Sequence, residues 1–254
     1  MDELFSVKKK VVLITGSSGG LGYVFARGLA SRGAKVVING TNIEKLYETQ
    51  RSLKEQGFET HAIPFDVTDA DAVKEAMEKI DGEAGPIDVL VNNAGINLRA
   101  PAEEMDESTW DKVININLKG AFLVSRAAGK QMIKNKRGKI INICSMQSEL
   151  GRATISPYAA SKGGLKMLTK NLAVEWAKHN IQVNGIGPGY FKTEMTKALY
   201  ENKEFDDWLK SRTPANRWGD PEELVGALVY LSSEASNYLN GQIIYVDGGL
   251  LSAV

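Results

Sequence analysis

The sequence predicts an α/β protein: one doubly wound parallel sheet of about seven strands with helices on both faces. Three observations carry this prediction. Short β-branched apolar runs alternate with longer stretches in which apolar residues recur at helical spacing. Most of the runs lack the alternation of apolar and polar residues that marks a strand with one solvent-exposed face. Every gap between runs is long enough for a crossover helix. No linker rich in Pro, Gly or Ser divides the 254 residues, so residues 1–254 are expected to form a single domain.

The predicted strands are short and mostly apolar. They cover residues 11–14, 35–38, 61–63, 87–91, 139–143, 181–186 and 242–246. The first of them, Val-Val-Leu-Ile, is a continuous apolar run, which is typical of a strand buried on both faces. Such strands belong in the middle of a sheet that helices cover on each side.

The predicted helices lie between these strands. Apolar residues recur at spacings of three and four in residues 21–31, 43–56, 73–80, 110–134, 158–178 and 221–232. The last of these begins with Pro221, and proline is favoured in the first turn of a helix. Residues 187–214 follow the sixth strand without such a pattern and are rich in aromatic residues. A long insertion near strand ends is a candidate lid or substrate loop.

Composition excludes several classes of protein. The 31 basic and 31 acidic residues balance, which argues against an electrostatic nucleic-acid binder. One cysteine, Cys144, forms no internal disulfide, and with two histidines it is too little for a zinc site, so no metal is expected. No apolar run approaches the roughly 18 residues of a membrane span, and residues 1–10 lack an apolar signal core. We therefore expect a cytoplasmic protein without a membrane or nucleic-acid partner, and Cys144 as a small buried side chain.

A glycine-rich stretch joins the first strand to the first helix. Residues 15–22 read Thr-Gly-Ser-Ser-Gly-Gly-Leu-Gly. Glycines let the backbone turn tightly and approach a pyrophosphate, and the following helix N-terminus offers free amides to an anion. Glycine-rich turns are common, but this one follows the first strand of an α/β pattern, where dinucleotide-binding folds place theirs.

The spacing T-G-x-x-x-G-x-G, the Asn92-Asn93-Ala94-Gly95 stretch and Asp66-Val67 each follow a predicted strand. Together they resemble the short-chain dehydrogenase/reductase family, over residues 10–249. The resemblance implies a Rossmann-type fold that binds a nicotinamide dinucleotide. The implied cofactor-binding residues are Gly16, Ser18, Gly20, Leu21, Gly22, Thr41, Asp66, Val67, Asn93, Ala94, Gly95, Tyr158, Lys162, Pro188, Gly189 and Thr193.

The choice between the two nicotinamide dinucleotides depends on the end of the second strand. An acidic residue there would bind the ribose 2′-hydroxyl of NAD and repel the 2′-phosphate of NADP. The sequence has Asn-Gly-Thr-Asn at residues 39–42, with Lys45 nearby. Thr41 and Asn42 are able to donate hydrogen bonds to phosphate, although they also suit the cap of the next helix. NADP(H) is therefore preferred, and NAD(H) stays open.

The predicted chemistry rests on Tyr158 and Lys162. Positions four apart share a helix face. A free phenol has a pKa of about 10, and a nearby ammonium is expected to lower it, so that Tyr158 exchanges a proton with a carbinol or carbonyl oxygen. The family resemblance adds two residues. It implies that Ser145 holds and polarises the substrate oxygen, and that Asn117 supports a proton-relay water linked to the lysine.

Within the family, the gluconate 5-dehydrogenase type resembles this chain over longer stretches, residues 142–150, 188–195, 212–219 and 222–227. The resemblance implies reversible oxidation of D-gluconate at C5 to 5-keto-D-gluconate. A sugar acid needs a cation for its carboxylate, and the fork of Arg99 suits that role. The predicted substrate contacts are Arg99, Ser145, Gln147 and Tyr158. Glu149 and Arg152 belong to the polar run beside Ser145 and suit either substrate contact or an ordinary surface pair, of which the surface pair is favoured.

Other functions stay open at this point. A 3-oxoacyl-carrier-protein reductase, or another oxo-acid or sugar reductase, would share every catalytic motif. A dinucleotide-binding sensor that has lost catalysis is an alternative of another class, which the four catalytic residues argue against. The resemblance also implies a homotetramer formed through the long middle helices and the last strand.

Overall fold

Seven parallel strands form the sheet that the sequence predicts, in a computed structural model that describes residues 3–253. The strands are β1 (Val11–Ile14), β2 (Lys35–Ile38), β3 (Thr60–Ala62), β4 (Val89–Asn92), β5 (Gly138–Ile143), β6 (Ile181–Pro188) and β7 (Ile243–Val246). Their order is β3-β2-β1-β4-β5-β6-β7. The direction of winding reverses between β1 and β4, which is where open α/β sheets bind ligands. The predicted fold class is confirmed; residues 1, 2 and 254 of the predicted domain lie outside the described residues.

Nine α-helices connect and flank the strands within residues 3–253. They are α1 (Gly20–Ala30), α2 (Ile43–Glu55), α3 (Ala70–Glu83), α4 (Glu107–Ile114), α5 (Ala121–Asn135), α6 (Ser156–Trp176), α7 (Lys197–Tyr200), α8 (Lys203–Arg212) and α9 (Val225–Ser232). Short 3-10 turns lie at Glu3–Phe5, Ala102–Glu104, Met146–Ser148, Ala177–His179, Glu194–Thr196, Pro221–Leu224, Glu234–Ser236 and Leu250–Ser252. None of these described helices is both long and apolar enough to cross a bilayer.

The two faces of the sheet carry separate cores. Along β1, Val12 and Ile14 pack with α1, α2 and α9, whereas Val11 and Leu13 pack with α3, α5 and α6. All four side chains are buried, because a strand inside a doubly wound sheet turns alternate residues to opposite helical layers. Continuous apolar runs in the sequence are therefore the direct mark of this architecture.

The structure differs from the sequence prediction in two helical regions. Residues 187–214, expected to be irregular, contain α7 and α8. Asn202 caps α8 by accepting from the Phe205 N–H at 3.0 Å, and Lys203–Asp207 and Lys210–Asp206 pair four residues apart. These charged pairs carry no apolar periodicity. The helical region 110–134 is also interrupted, by a π-helical turn at Asn115–Gly120, which periodicity alone does not reveal.

Candidate active site

A cavity of about 700 Å³ lies over the carboxyl ends of the central strands. It extends from the glycine-rich loop after β1 to the segment after β6. The predicted residues that line it are Gly16, Ser18, Gly20, Leu21, Thr41, Asp66, Val67, Asn93, Ala94, Gly95, Ser145, Tyr158, Lys162, Pro188, Gly189 and Thr193. Because parallel strands all end at this edge, residues far apart in sequence share one cavity.

The glycine-rich loop and the Asn-Asn-Ala-Gly stretch hold each other in place. The Asn93 side-chain amide donates to the carbonyls of Thr15 and Gly16, each at 2.9 Å. A Cβ at Gly22 would lie 2.4 Å from the Gly16 carbonyl oxygen and 2.6 Å from Asn93 Nδ2. Gly22 therefore allows this close packing from behind the loop and does not line the cavity. A Cβ at Gly20, by contrast, would meet nothing within 4 Å, so open space lies over bare backbone at the start of α1. This cradle fits a pyrophosphate.

The start of α2, just after β2, supplies a cation, Lys45, to which the sequence assigned no role. Thr41 and Lys45 line the cavity, and the Lys45 ammonium reaches across the loop to 3.0 Å from where a Cβ of Gly19 would be. Lys45 forms no ion pair with any residue in the range 3–253. Asn42 caps α2 by accepting from the Lys45 N–H at 3.0 Å, so the capping interpretation of Asn42 is right. An unpaired ammonium without an acidic neighbour at residues 39–42 fits a ribose 2′-phosphate.

Ser145, Tyr158 and Lys162 converge at the other end of the cavity. Ser145 follows β5, and Tyr158 and Lys162 lie one turn apart near the start of α6. Lys162 is buried, and its ammonium donates to the Ile143 carbonyl at 2.6 Å and lies 5.6 Å from the centroid of the Tyr158 ring. The three polar side chains therefore face one point at the rim of the sheet.

Burial controls the protonation of this group. It raises the pKa of Tyr158, and the hydrogen bond with Ser145 opposes that shift only in part. The predicted net lowering of the Tyr158 pKa is therefore wrong for this structure, because burial outweighs the interactions that stabilise the phenolate. Burial also lowers the pKa of Lys162, to about 8. At neutral pH the phenol of Tyr158 keeps its proton, which suits a proton donor.

Asn117 lies just outside the cavity lining, in the π-helical turn. It is buried, its Oδ1 accepts from the Ile96 N–H at 2.8 Å, and its Nδ2 donates to the Ile96 carbonyl at 2.9 Å and to Ser161 Oγ at 3.0 Å. The Ser161 hydroxyl in turn donates to the Tyr158 carbonyl at 2.7 Å. The π turn thus joins the loop after β4 to the turn of α6 that carries Tyr158.

Cys144, which lines the cavity beside Ser145, is a small buried side chain as predicted. Burial raises the pKa of its thiol to about 11, although Lys162 nearby acts in the opposite direction. The thiol is therefore protonated at neutral pH and a poor nucleophile. Residues 3–253 bring no three His, Cys, Asp or Glu side chains together in a group able to hold a metal ion.

Two predicted substrate residues lie beside the cavity lining. Gln147 is buried, its backbone N–H donates to Ser145 Oγ at 3.1 Å, and its Oε1 has no hydrogen-bond partner in the described part of the chain. Arg99 is exposed. Its partial burial is the larger cause of a lowered guanidinium pKa, and repulsion from the Arg152 charge lowers the pKa further. The interpretation of Glu149 and Arg152 as a pair is wrong, because Glu149 accepts from Lys166 and from the Tyr245 hydroxyl instead.

Sequence reasoning missed Arg152 and gave Lys45 too little weight. Arg152 donates to the Tyr190 hydroxyl at 3.1 Å, which joins two segments 38 residues apart. Such a contact leaves no local pattern in the sequence. The local signal for Arg152 is charge, because Glu149 lies three positions before it. In the fold, Glu149 accepts from Lys166 and from the Tyr245 hydroxyl instead.

The comparison with protein families settles what this arrangement belongs to. The family model described as short chain dehydrogenase matches residues 10–204. The chain belongs to the short-chain dehydrogenase family. The match includes the glycine-rich loop, the Asn-Asn-Ala-Gly stretch and the predicted Ser, Tyr and Lys, so the oxidoreductase class predicted from the motifs is confirmed.

Full-length relatives share the whole chain. It is 55% identical over 254 residues, 100% of both chains, to a 5-keto-D-gluconate 5-reductase of Escherichia coli strain K12. It is 50% identical over 248 residues to a gluconate 5-dehydrogenase of Gluconobacter oxydans strain 621H, covering 98% of this chain and 97% of the relative. A crystal structure of a gluconate 5-dehydrogenase from Burkholderia cenocepacia J2315 in complex with NADP and tartrate matches with a TM-score of 0.96 and 48% identity over 99% of both chains. The predicted likeness to the gluconate 5-dehydrogenase type is confirmed.

Proposed function

We propose that the chain transfers a hydride reversibly between NADP(H) and a sugar acid, interconverting 5-keto-D-gluconate and D-gluconate. One observation carries the proposal: Ser145, Tyr158 and Lys162 meet at one end of a cavity whose other end has a phosphate cradle and the unpaired Lys45 ammonium. The substrate follows the relatives named for 5-keto-D-gluconate reduction and gluconate oxidation, which share the chain over essentially its full length. The relative bound to NADP supports the cofactor.

The proposed cofactor site uses the predicted residues, from Gly16 to Thr193, with Lys45 added. The bare amides around Gly20 bind the pyrophosphate, as a glycine-rich loop before a helix does. Thr41 and Lys45 bind the 2′-phosphate by a hydroxyl and a charge. The lack of an acid at residues 39–42 leaves NAD(H) as the weaker cofactor.

The proposed reduction uses the protonated phenol. When bound, the nicotinamide supplies the hydride. Ser145 donates a hydrogen bond to the ketone oxygen and holds it beside Tyr158, and Tyr158 then gives its proton to the alkoxide oxygen as that charge develops. Lys162, held at the Ile143 carbonyl, stabilises the phenolate that remains. Oxidation runs these proton steps in reverse, and Asn117 keeps the α6 turn in position.

The substrate carboxylate is assigned to Arg99, whose planar fork binds a carboxylate with two hydrogen bonds. The buried Gln147 carbonyl oxygen without a partner suits a donor hydroxyl of the polyol. No observation favours an acyl-carrier substrate.

We further propose a single cytoplasmic domain, residues 1–254 with a lid at 187–214, that assembles as a homotetramer. Large apolar side chains stay exposed on three helices in the middle of the chain: Trp110 on α4, Phe122 on α5, and Met167 and Val174 on α6. Such faces are common where subunits meet. A cytoplasmic location also suits the free thiol of Cys144.

The direct experiment is a 340 nm assay that crosses NAD(H) and NADP(H) with gluconate, 5-ketogluconate, 2-ketogluconate and an acetoacetyl thioester. We expect the highest kcat/KM with NADPH and 5-ketogluconate. Preference for the thioester would replace the proposal with an acyl-carrier reductase.

The same assay on Tyr158→Phe tests the proposed chemistry. Removing the proton donor is expected to lower kcat by about 10²- to 10⁴-fold, because general acid catalysis contributes that much. The Kd for NADPH, measured by fluorescence, should change little. A Tyr158→Phe variant that turns over normally would remove Tyr158 as the proton donor. Tight binding of NADPH by the wild type without reduction of any of these substrates would favour the dinucleotide-binding sensor.

A further inference from the structure

We propose that Arg152 is the second cation of the carboxylate site and that it couples binding of the carboxylate to the lid. This inference rests on the proposed function, and goes beyond it by adding a specificity residue and a link to residues 187–214. The Arg152 guanidinium has three kinds of neighbour: the lid, Arg99 and the nearby acids.

The guanidinium of Arg152 is held by the lid and not by its own segment. It lies 4.6 Å from the ring centroid of Phe205 on α8, and 5.8 Å from that of Tyr190. Its Nη1 donates to the Tyr190 hydroxyl at 3.1 Å. Arg152 itself comes seven residues after Ser145. One side chain therefore joins the segment that carries the proposed substrate-binding serine to two parts of the lid.

Arg99 and Arg152 lie on neighbouring segments. The Ala100 N–H donates to the Thr154 carbonyl at 3.1 Å, which holds the two segments side by side, and repulsion from Arg152 adds to burial in lowering the pKa of Arg99. Neither arginine forms an ion pair among residues 3–253. Two adjacent guanidinium groups without a counter-charge form a site for an anion, and their planar forks suit a carboxylate.

The acids near these arginines are already engaged. Glu149 accepts from Lys166 and Tyr245, and Asp206 accepts from Lys210 and from the indole N–H of Trp218, at 2.6 and 2.7 Å respectively. Neither carboxylate is free to neutralise the two arginines. A ligand is therefore able to supply the negative charge that the two arginines lack, and the proposed substrate carries one carboxylate at the end of its chain.

The lid would respond to that charge through its aromatic cluster. Phe205 packs against Tyr190 and Trp208, with ring centroids at 5.6 and 5.1 Å, and Tyr190 packs edge-on against Trp218 at 5.7 Å. A carboxylate between the arginines would attract the Arg152 guanidinium and shift it relative to the Phe205 ring and the Tyr190 hydroxyl that it contacts. A neutral ligand leaves the repulsion in place. Trp208 and Trp218 belong to this cluster, so their fluorescence reports its packing.

The kinetic test compares Arg152→Gln and Arg152→Lys with wild type, and uses Arg51→Gln on the exposed face of α2 as the matched control. We expect Arg152→Gln to raise the KM for 5-keto-D-gluconate at least tenfold, with the Kd for NADPH changed less than twofold. Arg152→Lys should recover part of the KM, because it restores the charge without the planar fork. Equal effects of Gln and Lys, or an unchanged KM, would overturn the proposal.

The binding test follows tryptophan fluorescence of the NADP-bound enzyme as D-gluconate or the neutral polyol D-glucitol is added. We expect a saturable change with D-gluconate alone, weakened at least tenfold in Arg152→Gln and reduced in amplitude in Phe205→Leu, which removes the ring under the guanidinium. An identical response to D-glucitol would refute the coupling.

The two proposals fail in different ways. If wild type binds D-gluconate in an Arg152-dependent manner but turns over no sugar acid, the proposed function falls and the carboxylate site stands. If wild type reduces 5-keto-D-gluconate and Arg152→Gln leaves both KM and fluorescence unchanged, the function stands and this inference falls.

Discussion

Two buried lysines lie at opposite ends of the same strand, and they illustrate how similar residues serve different purposes. Lys139 is the second residue of β5, at its amino end. Lys162 donates to the carbonyl of Ile143, the last residue of β5. Each lysine is 5% exposed, and burial lowers the pKa of each to about 8. Burial and pKa therefore do not distinguish them.

Their hydrogen bonds do. The Lys139 ammonium donates to Gln182 Oε1 at 3.0 Å, to Ser236 Oγ at 3.2 Å and to Asn237 Oδ1 at 2.9 Å, so its three N–H groups all have partners. The Lys162 ammonium has one partner among the described residues, the Ile143 carbonyl. A buried cation whose donors all have partners is held in place by the fold, whereas a buried cation with free donors beside a cavity is available to a ligand or a reacting group.

The largest effect expected from this comparison is on Lys162. Lys162→Met removes the charge beside Tyr158 and should lower kcat/KM for 5-keto-D-gluconate by about 10²- to 10⁴-fold, the range of acid–base catalysis. Lys139→Met should keep kcat/KM within about twofold, since Lys139 lies at the far end of the strand. Both variants are assayed at 340 nm. A comparable loss of activity in the two variants would erase the distinction.

Stability should follow the opposite order. Lys139→Met leaves the buried oxygens of Gln182 and Ser236 and the exposed oxygen of Asn237 without this donor, and should lower the free energy of unfolding by about 2 kcal/mol. Urea unfolding at pH 7 measures this loss. Arg137→Gln is the matched control, because the Arg137 side chain is 65% exposed in its 3.3 Å ion pair with Asp88, and such a pair is worth about 1 kcal/mol or less. A Lys139→Met protein as stable as wild type would show that the three hydrogen bonds contribute nothing net.

The pH dependence of stability sharpens that result. Lys139 has a pKa of about 8 in the folded chain and an ordinary value of 10.5. Between these values the unfolded chain binds more protons, so the free energy of unfolding rises with pH in this window. Lys139→Met should reduce the slope between pH 8 and 10.5 and leave it unchanged at lower pH.

The pH dependence of activity separates the two lysines as well. Lys162 loses its proton above pH 8, and with it the charge that stabilises the Tyr158 phenolate. In the reductive direction, kcat/KM should fall about tenfold per pH unit above that point. The profile of Lys139→Met should match that of wild type. A profile that stays flat to pH 10 would contradict the assignment of the titration to Lys162.

Much of the site was predictable because its residues follow strands. The strands 11–14 and 35–38 are predicted to the residue, since continuous apolar runs end where polar loop residues begin. Glycine-rich and Asn-rich turns after those strands then meet at one edge, as the topology of a parallel sheet requires. Lys45 and Arg152 were not among the predicted site residues, because their roles depend on contacts with segments distant in sequence.

The sequence by itself determined the doubly wound sheet, the family and the spacing of Tyr158 and Lys162, because these depend on local periodicity and short motifs. The tertiary structure decided the protonation of Tyr158 and the difference between Lys139 and Lys162, because burial and hydrogen-bond partners come from distant segments. It also brought Arg152 into contact with Tyr190 and Phe205. Charge interactions of that kind depend on distance in space, and sequence separation does not encode it.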